Sequence, residues 1–362
     1  MLDFTSALYL GLQHPSRLLR PWAQFTTGRP AALASPSDAR TVAHKLAILQ
    51  GCERATLGPS TLHLFWDLFG MLAIGGVDIY MDAGVYPIAR WGIERAAMRG
   101  APVRGFPHHD ADALQRLLKQ AACSRVRPVV VADGFCPGCG EPAPIGEYLG
   151  SVREFGGYLV LDDTQALGIL GHSPGPGTPY GKGGGGSPRW SGASGADVLV
   201  VSSMAKGFGV PMAVLAGNEA MVRRFEATSE TRVHCSPPSN PAVHAAERAL
   251  ATNREHGDSL RLRLAQLVRY LRNRLAQAGL FAIGGLFPVQ TLAPVPNLDA
   301  STLHERLLRL GVRAVLLRAR SGQGARLTFI ITARHGPSDI DHIVDCVTRA
   351  ARIENVRQRQ WR

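Results

Sequence analysis

Runs of residues rich in Val and Leu constrain the fold of this chain more strongly than any other feature. They occupy residues 128–132, 158–161 and 198–201 and read Pro-Val-Val-Val-Ala, Tyr-Leu-Val-Leu and Val-Leu-Val-Val. A helical pattern at 111–122 precedes the first run, and another at 147–155 separates it from the second. Strands that are apolar along their whole length are buried on both faces, which is typical of a parallel sheet covered by helices on both sides. The sequence therefore predicts an α/β fold with a mostly parallel sheet.

The pattern changes after a long helical stretch at 241–279 that is rich in Ala, Leu and Arg. Short strand patterns near 281–283 and 326–331 and helical patterns near 301–310 and 338–353 favour a smaller α+β domain there. We expect an N-terminal segment that packs with this small domain, a large domain, and the small C-terminal domain, over residues 1–40, 41–275 and 276–362. The segment 173–195 is mostly Pro, Gly and Ser and is predicted to be a flexible loop or lid.

The chain has 362 residues, with 40 Lys and Arg against 28 Asp and Glu and a formal net charge of +12. Such a charge suits coenzyme A or an acidic carrier protein, although an Arg-rich solvated surface explains it equally well. The basic residues are not interleaved with aromatics, which argues against nucleic acid as a partner. No window approaches the roughly 18 apolar residues of a membrane span, and the six cysteines do not form a secreted disulfide scaffold. We expect a soluble, cytoplasmic protein.

An acid and a lysine follow two of the predicted strands directly. Asp162 ends the run that begins at Tyr158, and Lys206 follows the run 198–201 and the hydroxyls of Ser202 and Ser203. In a parallel sheet both side chains project from the carboxyl edge, where ligands bind. A lysine amine forms a Schiff base with the aldehyde of pyridoxal 5′-phosphate (PLP), and a carboxylate against the pyridine nitrogen keeps it protonated. A helix cap or a solvated surface explains either residue alone, but their joint placement beside glycines favours a PLP site.

These motifs resemble those of the α-oxoamine synthase family, PLP-dependent enzymes of the aminotransferase class I/II fold. The family's first motif is Asp-Glu-Ala-His-Ser-x-Gly, where this chain has Asp162-Asp-Thr-Gln165-Ala-Leu-Gly168. Its second motif is Thr-x-x-Lys-x-x-Gly, where this chain has Ser203-Met-Ala-Lys206-Gly-Phe-Gly209. Looser matches extend over nearly the whole chain, at residues 6–12, 106–110, 134–144 and 325–335. The resemblance implies a type I PLP fold with a seven-stranded type of sheet, and a homodimer with sites between its subunits.

The resemblance also implies roles for individual residues. Lys206 would carry the cofactor, Asp162 would face the pyridine nitrogen, and Gln165 stands where the family has a histidine against the phenolic oxygen. Tyr86 falls where a histidine stacks on the ring, and an aromatic side chain can do the same; an ordinary core tyrosine is the alternative. The remaining residues are expected at the phosphate, which a helix N-terminus can cradle: Ser203, Ser60, Thr61 and, from the partner subunit, Ser236.

The chain departs from the family at the positions that bind the carboxylate of the amino-acid substrate. Ala7, Pro137 and Thr328 stand where the family has an asparagine, a serine and an arginine. A charged hydrogen bond to a carboxylate contributes roughly 1.5–3 kcal/mol, so these losses weaken the family's mode of binding. Either nearby arginines replace the lost contacts, or the substrate has no free carboxylate because a carrier thioester masks it. The candidate arginines for substrate binding are Arg318, Arg320 and Arg326.

Two other motifs have features of metal or redox sites. Cys136-Pro-Gly-Cys139 has a Cys-x-x-Cys spacing, but it lacks a second ligand pair at a fitting distance. His108 and His109 are successive residues that rarely chelate one ion, and Asp110 after them is explained as a helix N-cap. We therefore expect no metal site.

The sequence favours an enzyme, a PLP-dependent transferase resembling the α-oxoamine synthases. It would condense an amino acid with an acyl thioester of coenzyme A or a carrier protein, with loss of CO₂, to an aminoketone. The alternative is an aminotransferase, or another carbanion-forming PLP enzyme, that acts on an amine or a carrier-tethered amino acid. A third reading, an idle homologue that serves as a subunit partner, conflicts with the intact Lys206 and Asp162.

Overall fold

The computed structural model describes residues 1–121, 126–294, 299–318 and 324–359. By their contacts they form two compact units. The large unit comprises Leu12–Cys136 and Pro142–Asp258, and the small unit comprises Met1–Gly11, Pro137–Glu141 and Ser259–Arg362.

The strands and helices follow one another along the whole chain. The strands are β1 (Leu2–Asp3), β2 (Arg54–Gly58), β3 (Val77–Asp82), β4 (Val103–Phe106), β5 (Arg127–Asp133), β6 (Phe135–Cys136), β7 (Glu141–Pro142), β8 (Tyr158–Asp162), β9 (Val198–Ser203), β10 (Ala213–Gly217), β11 (Ala282–Ile283), β12 (Val289–Leu292), β13 (Val312–Arg313), β14 (Val315–Arg318) and β15 (Ala325–Ile330). The helices are α1 (Ala39–Gln50), α2 (Thr61–Ile74), α3 (Pro87–Met98), α4 (Ala111–Gln120), α5 (Ile145–Arg153), α6 (Ser187–Ser191), α7 (Glu219–Thr228), α8 (Glu230–His234), α9 (Asn240–Gln277), α10 (Ala300–Arg309) and α11 (Pro337–Arg359).

A seven-stranded sheet in the order β2-β10-β9-β8-β5-β3-β4 forms the centre of the large unit. β10 runs antiparallel to both of its neighbours, and the other described pairings in this sheet are parallel. This confirms the mostly parallel α/β sheet predicted from the sequence. Since β2 therefore runs in the same direction as β9, the carboxyl ends of β2, β9, β8, β5 and β3 lie along one edge of the sheet.

Successive side chains of each strand point to opposite faces of this sheet, and helices cover both faces. Leu199 and Val201 of β9 point into a core built with α2 and α3, and Val198 and Val200 point into a core built with α4 and α5 on the opposite face. The even-numbered residues of β10 pack against α1 and the start of α9 on that second face. Each such buried side chain stabilises the fold by roughly 1.5–3 kcal/mol, which is why the strands read as continuous apolar runs.

The small unit contains a four-stranded antiparallel sheet in the order β11-β12-β15-β14. Helices α10 and α11 pack together, and α10 packs on β15. The first residues of the chain join this unit because β1 pairs in parallel with β13, through Leu2 opposite Val312. Just beyond β1, the ring of Phe4 stacks on His335 with centroids 4.3 Å apart.

The glycine-rich segment 173–195 differs from the flexible loop predicted for it. His172 and Lys182 form an antiparallel bridge, as do Leu167 and Gly185, and the Gly186 amide donates to the carbonyl of Leu170 at 2.7 Å. Residues 183–188 are largely buried and lead into α6. The glycines allow this close packing: a Cβ at Gly171 would lie 1.9 Å from the carbonyl oxygen of Lys182. In the part of the chain that the structure describes, no helix combines the length and apolarity needed to cross a membrane.

Candidate active site

The functional side chains predicted for the large unit follow the strands that end at one edge of the sheet. Register shows how they are ordered: Gly58 of β2 pairs with Ala213 of β10, which pairs with Ser203 of β9, and Asp162 of β8 pairs with Asp133 of β5. Adjacent strands lie about 4.8 Å apart. The sheet therefore brings the neighbourhoods of Ser60, Lys206, Asp162 and Tyr86 to the same edge.

Lys206 lies in a tight turn between β9 and β10. The Met204 amide donates to Met212 O at 2.9 Å, and the Val210 amide donates to Met204 O at 3.0 Å. Gly207, directly after the lysine, passes close to the loop that follows β8, since a Cβ there would lie 2.4 Å from the carbonyl oxygen of Leu167. The glycine after the lysine is thus required for the close approach of the loop after β9 to the loop after β8.

The amine of Lys206 is poised for nucleophilic chemistry. Burial lowers its pKa from the ordinary lysine value, and the negative charges of Asp162 and Asp133 oppose that shift. A lower pKa leaves more of the amine neutral near pH 7, and the neutral amine is the form that adds to an aldehyde.

Asp162 is a buried acid, with 7% of its surface exposed. Burial raises its pKa, while hydrogen bonding by Thr164 and the charge of Lys206 oppose the shift. The Thr164 amide donates to Asp162 Oδ1 at 3.1 Å, and Thr164 Oγ1 accepts from the Ser203 amide at 3.0 Å, so this residue joins β8 to β9. A buried carboxylate of this kind is stabilised by a cation beside it, which the protonated pyridine nitrogen of a bound PLP would supply.

The start of α2 fits a phosphate group. Ser60 is the N-cap residue, and its hydroxyl contacts Nδ1 of His63 at 2.8 Å rather than capping a first-turn amide. Amides at the N-terminus of a helix, with the positive end of its dipole, bind anions. Thr61 is half-buried beside Ser60, and on β9 the Ser203 hydroxyl accepts from the Ala205 amide at 3.2 Å. The donors in this part of the edge therefore suit the anionic end of PLP.

Tyr86 is 50% exposed, so it is not a core tyrosine. It is the N-cap residue of α3, where Pro87 follows it, and its amide donates to Asp133 Oδ1 at 3.0 Å. Gln165 is half-buried in the loop that follows Asp162. Ser236 is exposed beyond α8, and the role predicted for it depends on a second subunit.

The sequence reasoning missed a second buried acid, Asp163, which is fully buried. Both of its carboxylate oxygens accept from the Ser187 amide at 3.1 Å, and the Ser187 hydroxyl donates to Oδ1. Gly134 and Gly186 leave room for it, since a Cβ at Gly186 would lie 1.8 Å from Oδ2. Burial raises the pKa of Asp163 to about 7, against the hydrogen bonds from Ser187. Its partner Ser187 is 24 residues away in the chain, so no local sequence motif predicts this contact.

Asp163→Asn is expected to change how stability depends on pH. The folded-state pKa of about 7 lies above the unfolded value of about 3.9, so the contribution of this group is present below about pH 4 and is lost as the pH rises toward 7. Relative to the variant, the wild type should lose up to about 3 kcal/mol of unfolding free energy between pH 5 and pH 8. Urea unfolding at both pH values measures this, with Asp112→Asn as the exposed control. Equal pH slopes in wild type and Asp163→Asn would contradict the assignment.

His108, His109 and Asp110 have structural partners within the large unit. Asp82 Oδ1 lies 2.7 Å from His108 Nδ1, and Asp82 Oδ2 accepts from the His109 amide at 3.0 Å. The hydroxyl of Tyr148 also donates to Asp82, at 2.8 Å. Asp110 accepts from the Ala113 amide at 2.8 Å and caps α4, as predicted. These residues fix the loop after β4 to the end of β3.

The residues predicted to affect carboxylate binding lie in the small unit. Thr328 of β15 is buried, with its hydroxyl 2.9 Å from that of Thr291 on β12. Arg326 lies two residues earlier on the same face of β15 and is exposed. Ala7 and Pro137 are half-buried. Arg320 and the side chain of Arg318 lie outside the described residues.

Comparisons with known proteins show the family and the fold of this chain. The family described as aminotransferase class I and II matches residues 45–345. An 8-amino-7-oxononanoate synthase of Sodalis glossinidius is 28% identical over 360 residues, covering 96% of this chain and 88% of the relative. Another, from Pseudescherichia vulneris, is 28% identical over 354 residues, covering 95% and 87%.

Solved structures share the fold over almost the whole chain. A serine palmitoyltransferase from S. paucimobilis, with a bound PLP–myriocin aldimine, superposes with a TM-score of 0.82 at 17% identity, covering 98% of this chain and 88% of the other. An 8-amino-7-oxononanoate synthase from Francisella tularensis gives a TM-score of 0.74 at 16% identity, covering 98% and 99%. At these identities the likeness shows the fold alone.

Proposed function

Because the chain belongs to the aminotransferase class I and II family, we propose that it is a PLP-dependent transferase that condenses an amino acid with an acyl thioester. The observation that carries this proposal is the placement of Asp162 and Lys206 at the ends of adjacent strands β8 and β9, with their charges close enough to interact. The relatives named 8-amino-7-oxononanoate synthase support a decarboxylative condensation as the reaction class.

Bound PLP supplies an electron sink for the carbanion that forms at the α-carbon of the substrate. Lys206 Nζ would hold the cofactor and is the group placed to take the α-proton of the substrate. Asp162 would keep the pyridine nitrogen protonated, and burial of this carboxylate would strengthen that contact. The N-terminus of α2, with Ser60 and Thr61, and the Ser203 hydroxyl would orient the phosphate, while Tyr86 presents an exposed ring.

The overall reaction balances without an added oxidant or reductant. A carbon–carbon bond forms between the α-carbon and the thioester carbonyl, and the carbon–sulfur bond breaks to release the thiol. The bond to the carboxylate then breaks, CO₂ leaves, and a proton is returned to the α-carbon. Lys206 is the group placed to take and return protons there.

The partners of the reaction follow from the same proposal. The acyl group would arrive on coenzyme A or on an acyl carrier protein, and the net charge of +12 suits the phosphates of the first or the acidic surface of the second. The cytoplasmic location, the homodimer with Ser236 of the partner subunit at the phosphate, and domain boundaries at 40 and 275 stay predictions.

The proposed reaction is tested by supplying the PLP-loaded protein with carboxyl-labelled glycine, alanine or serine and a series of acyl thioesters. We expect labelled CO₂ and free thiol to appear in equal amounts, and only when both substrates are present. Lys206→Ala is the matched control and should release neither. Release of thiol without CO₂ in every combination would contradict a decarboxylative condensation.

An aminotransferase is the second candidate, and the state of Thr328 is the observation that favours it. This buried, uncharged side chain, paired with Thr291, stands at the position that the family resemblance assigns to a carboxylate-binding arginine. Such an enzyme would act on an amine or on a carrier-tethered amino acid. Transfer of a labelled amino group to an α-keto acid, in the absence of any thioester, would identify this activity.

A further inference from the structure

Asp133 is an acid at the cofactor edge to which neither the motifs nor the reaction assigns a role. It is the last residue of β5, between β8 and β3 in the sheet, and it pairs in register with Asp162. The Gly134 amide donates to Asp162 O at 2.8 Å, so the main chain after Asp133 is fixed to the strand that carries the cofactor acid.

The carboxylate of Asp133 holds the main chain at Tyr86. Its Oδ1 accepts from the Tyr86 amide at 3.0 Å, across 47 residues of chain. Tyr86 is the N-cap residue of α3, and its carbonyl accepts from the Arg90 amide at 3.2 Å, so both sides of the residue are bonded. A negative charge at a helix N-terminus is favourable. Asp133 therefore satisfies the amide of the N-cap residue itself, while the tyrosine side chain caps no first-turn amide.

The same carboxylate acts on the amine of Lys206. Its negative charge raises the pKa of that amine, together with Asp162 and against burial. The other two acids near this edge are engaged elsewhere, since Asp82 binds His108 and Tyr148, and Asp163 binds Ser187. Asp133 thus bonds to the main chain at Tyr86 and lies near enough to Lys206 for its charge to act on the amine.

We propose that Asp133 is a positioning residue for the PLP site: it fixes the main chain at Tyr86, and from its place beside Asp162 at the same edge of the sheet its charge acts on the amine of Lys206. The inference rests on the proposed function only in assuming that PLP binds at Lys206, and it holds for a condensing enzyme and for an aminotransferase alike. The role has two parts, a hydrogen-bond acceptor for Tyr86 and a charge for Lys206.

Two substitutions separate these parts. Asp133→Asn keeps an acceptor oxygen for the Tyr86 amide and removes the charge, whereas Asp133→Ala removes both. The proteins are loaded with PLP, and the circular dichroism of the cofactor's visible band is recorded, because this signal reports the orientation of the ring in its site. Tyr86→Ala provides the reference for a cofactor whose stacking partner is lost, and Asp112→Ala, on the exposed side of α4, is the matched control.

We expect Asp133→Asn to keep the dichroism of the wild type while kcat falls about 10-fold, because the charge that acts on the amine of Lys206 is gone. Asp133→Ala should change the dichroism in the direction of Tyr86→Ala, with kcat reduced roughly 100-fold. Wild-type dichroism and kcat in Asp133→Ala would overturn the proposal. A loss of thermal stability in both variants, with unchanged dichroism of the folded protein, would also overturn it and leave a purely structural acid. A changed dichroism without any thioester or transamination activity in the wild type would uphold the positioning role and refute the proposed function instead.

Discussion

Lys206→Ala is expected to reduce turnover by at least about 10³-fold, because the variant has neither the amine that holds the cofactor nor the base at the α-carbon. The side chain lies in a turn whose main chain is closed by hydrogen bonds from Met204 and Val210, so the fold should remain. Steady-state rates and the visible absorbance of protein loaded with PLP measure the two losses. The absorbance band of the bound cofactor should be replaced by that of free PLP.

Lys119→Ala is the control for that experiment, since Lys119 is exposed on the last turn of α4. It should behave as the wild type in both assays. Turnover within about tenfold of wild type in Lys206→Ala would mean that another group carries the chemistry, and the assignment of the site would fail.

Asp162→Asn is expected to lower kcat by roughly 30-fold to 5,000-fold, the equivalent of the ~2–5 kcal/mol that loss of one partner of a buried charge pair costs. An amide has nearly the same shape, so the buried site stays filled, but it cannot hold the pyridine nitrogen in its protonated form. PLP should still bind through Lys206. The expected signature is therefore a protein with bound cofactor and little turnover, measured by absorbance and by the rate of α-proton exchange with solvent.

Asp112→Asn, at an exposed position of α4, controls for the loss of a carboxylate in general. An exchange rate in Asp162→Asn equal to that of the wild type would show that the ring nitrogen is not this acid's partner. Restoration of exchange in Asp162→Glu would support the charge as the active property.

The part of the fold predicted from the sequence is the part with a regular pattern. The strands near 128–132, 158–161 and 198–201 are present as β5, β8 and β9, because strands buried on both faces are apolar throughout. The resemblance to the family implies a helix that opens at Ser60 and Thr61, and α2 begins there, but its own sequence pattern does not indicate a helix. Its sequence, Thr-Leu-His-Leu-Phe-Trp-Asp-Leu-Phe-Gly-Met-Leu-Ala-Ile, is apolar on nearly every side and lacks a helical period. Strand β10 was not predicted, because its five residues of Ala, Val, Leu and Gly do not distinguish a strand from a segment of buried helix.

The candidate site divides in the same way. Asp162 and Lys206 were recognisable because each comes soon after a predicted strand. The carboxyl ends of parallel strands lie along one edge of the sheet, where ligands bind. Asp133 also follows a predicted strand, but its significance lies in Tyr86, a partner from a distant segment. Asp163 likewise depends on Ser187 and on glycines at 134 and 186 that leave it space. Contacts of this kind are made by tertiary packing, and a single sequence does not contain them in local form.

Because β10 lies between β2 and β9 in the sheet, β2 can join the sheet only after β10 has been synthesised. β2 joins the sheet only through β10, and β10 pairs on its other side with β9. A nascent chain that ends before Ala213 already contains Lys206, Asp162 and Asp163, but it has no strand on which β2 can dock, so the segment that leads into the helix start at Ser60 lacks its partner in the sheet. Closing so long a stretch of chain is slow compared with local folding. We therefore expect the start of α2, which the proposed site uses for the phosphate of PLP, to reach its final position only after β10 has been synthesised.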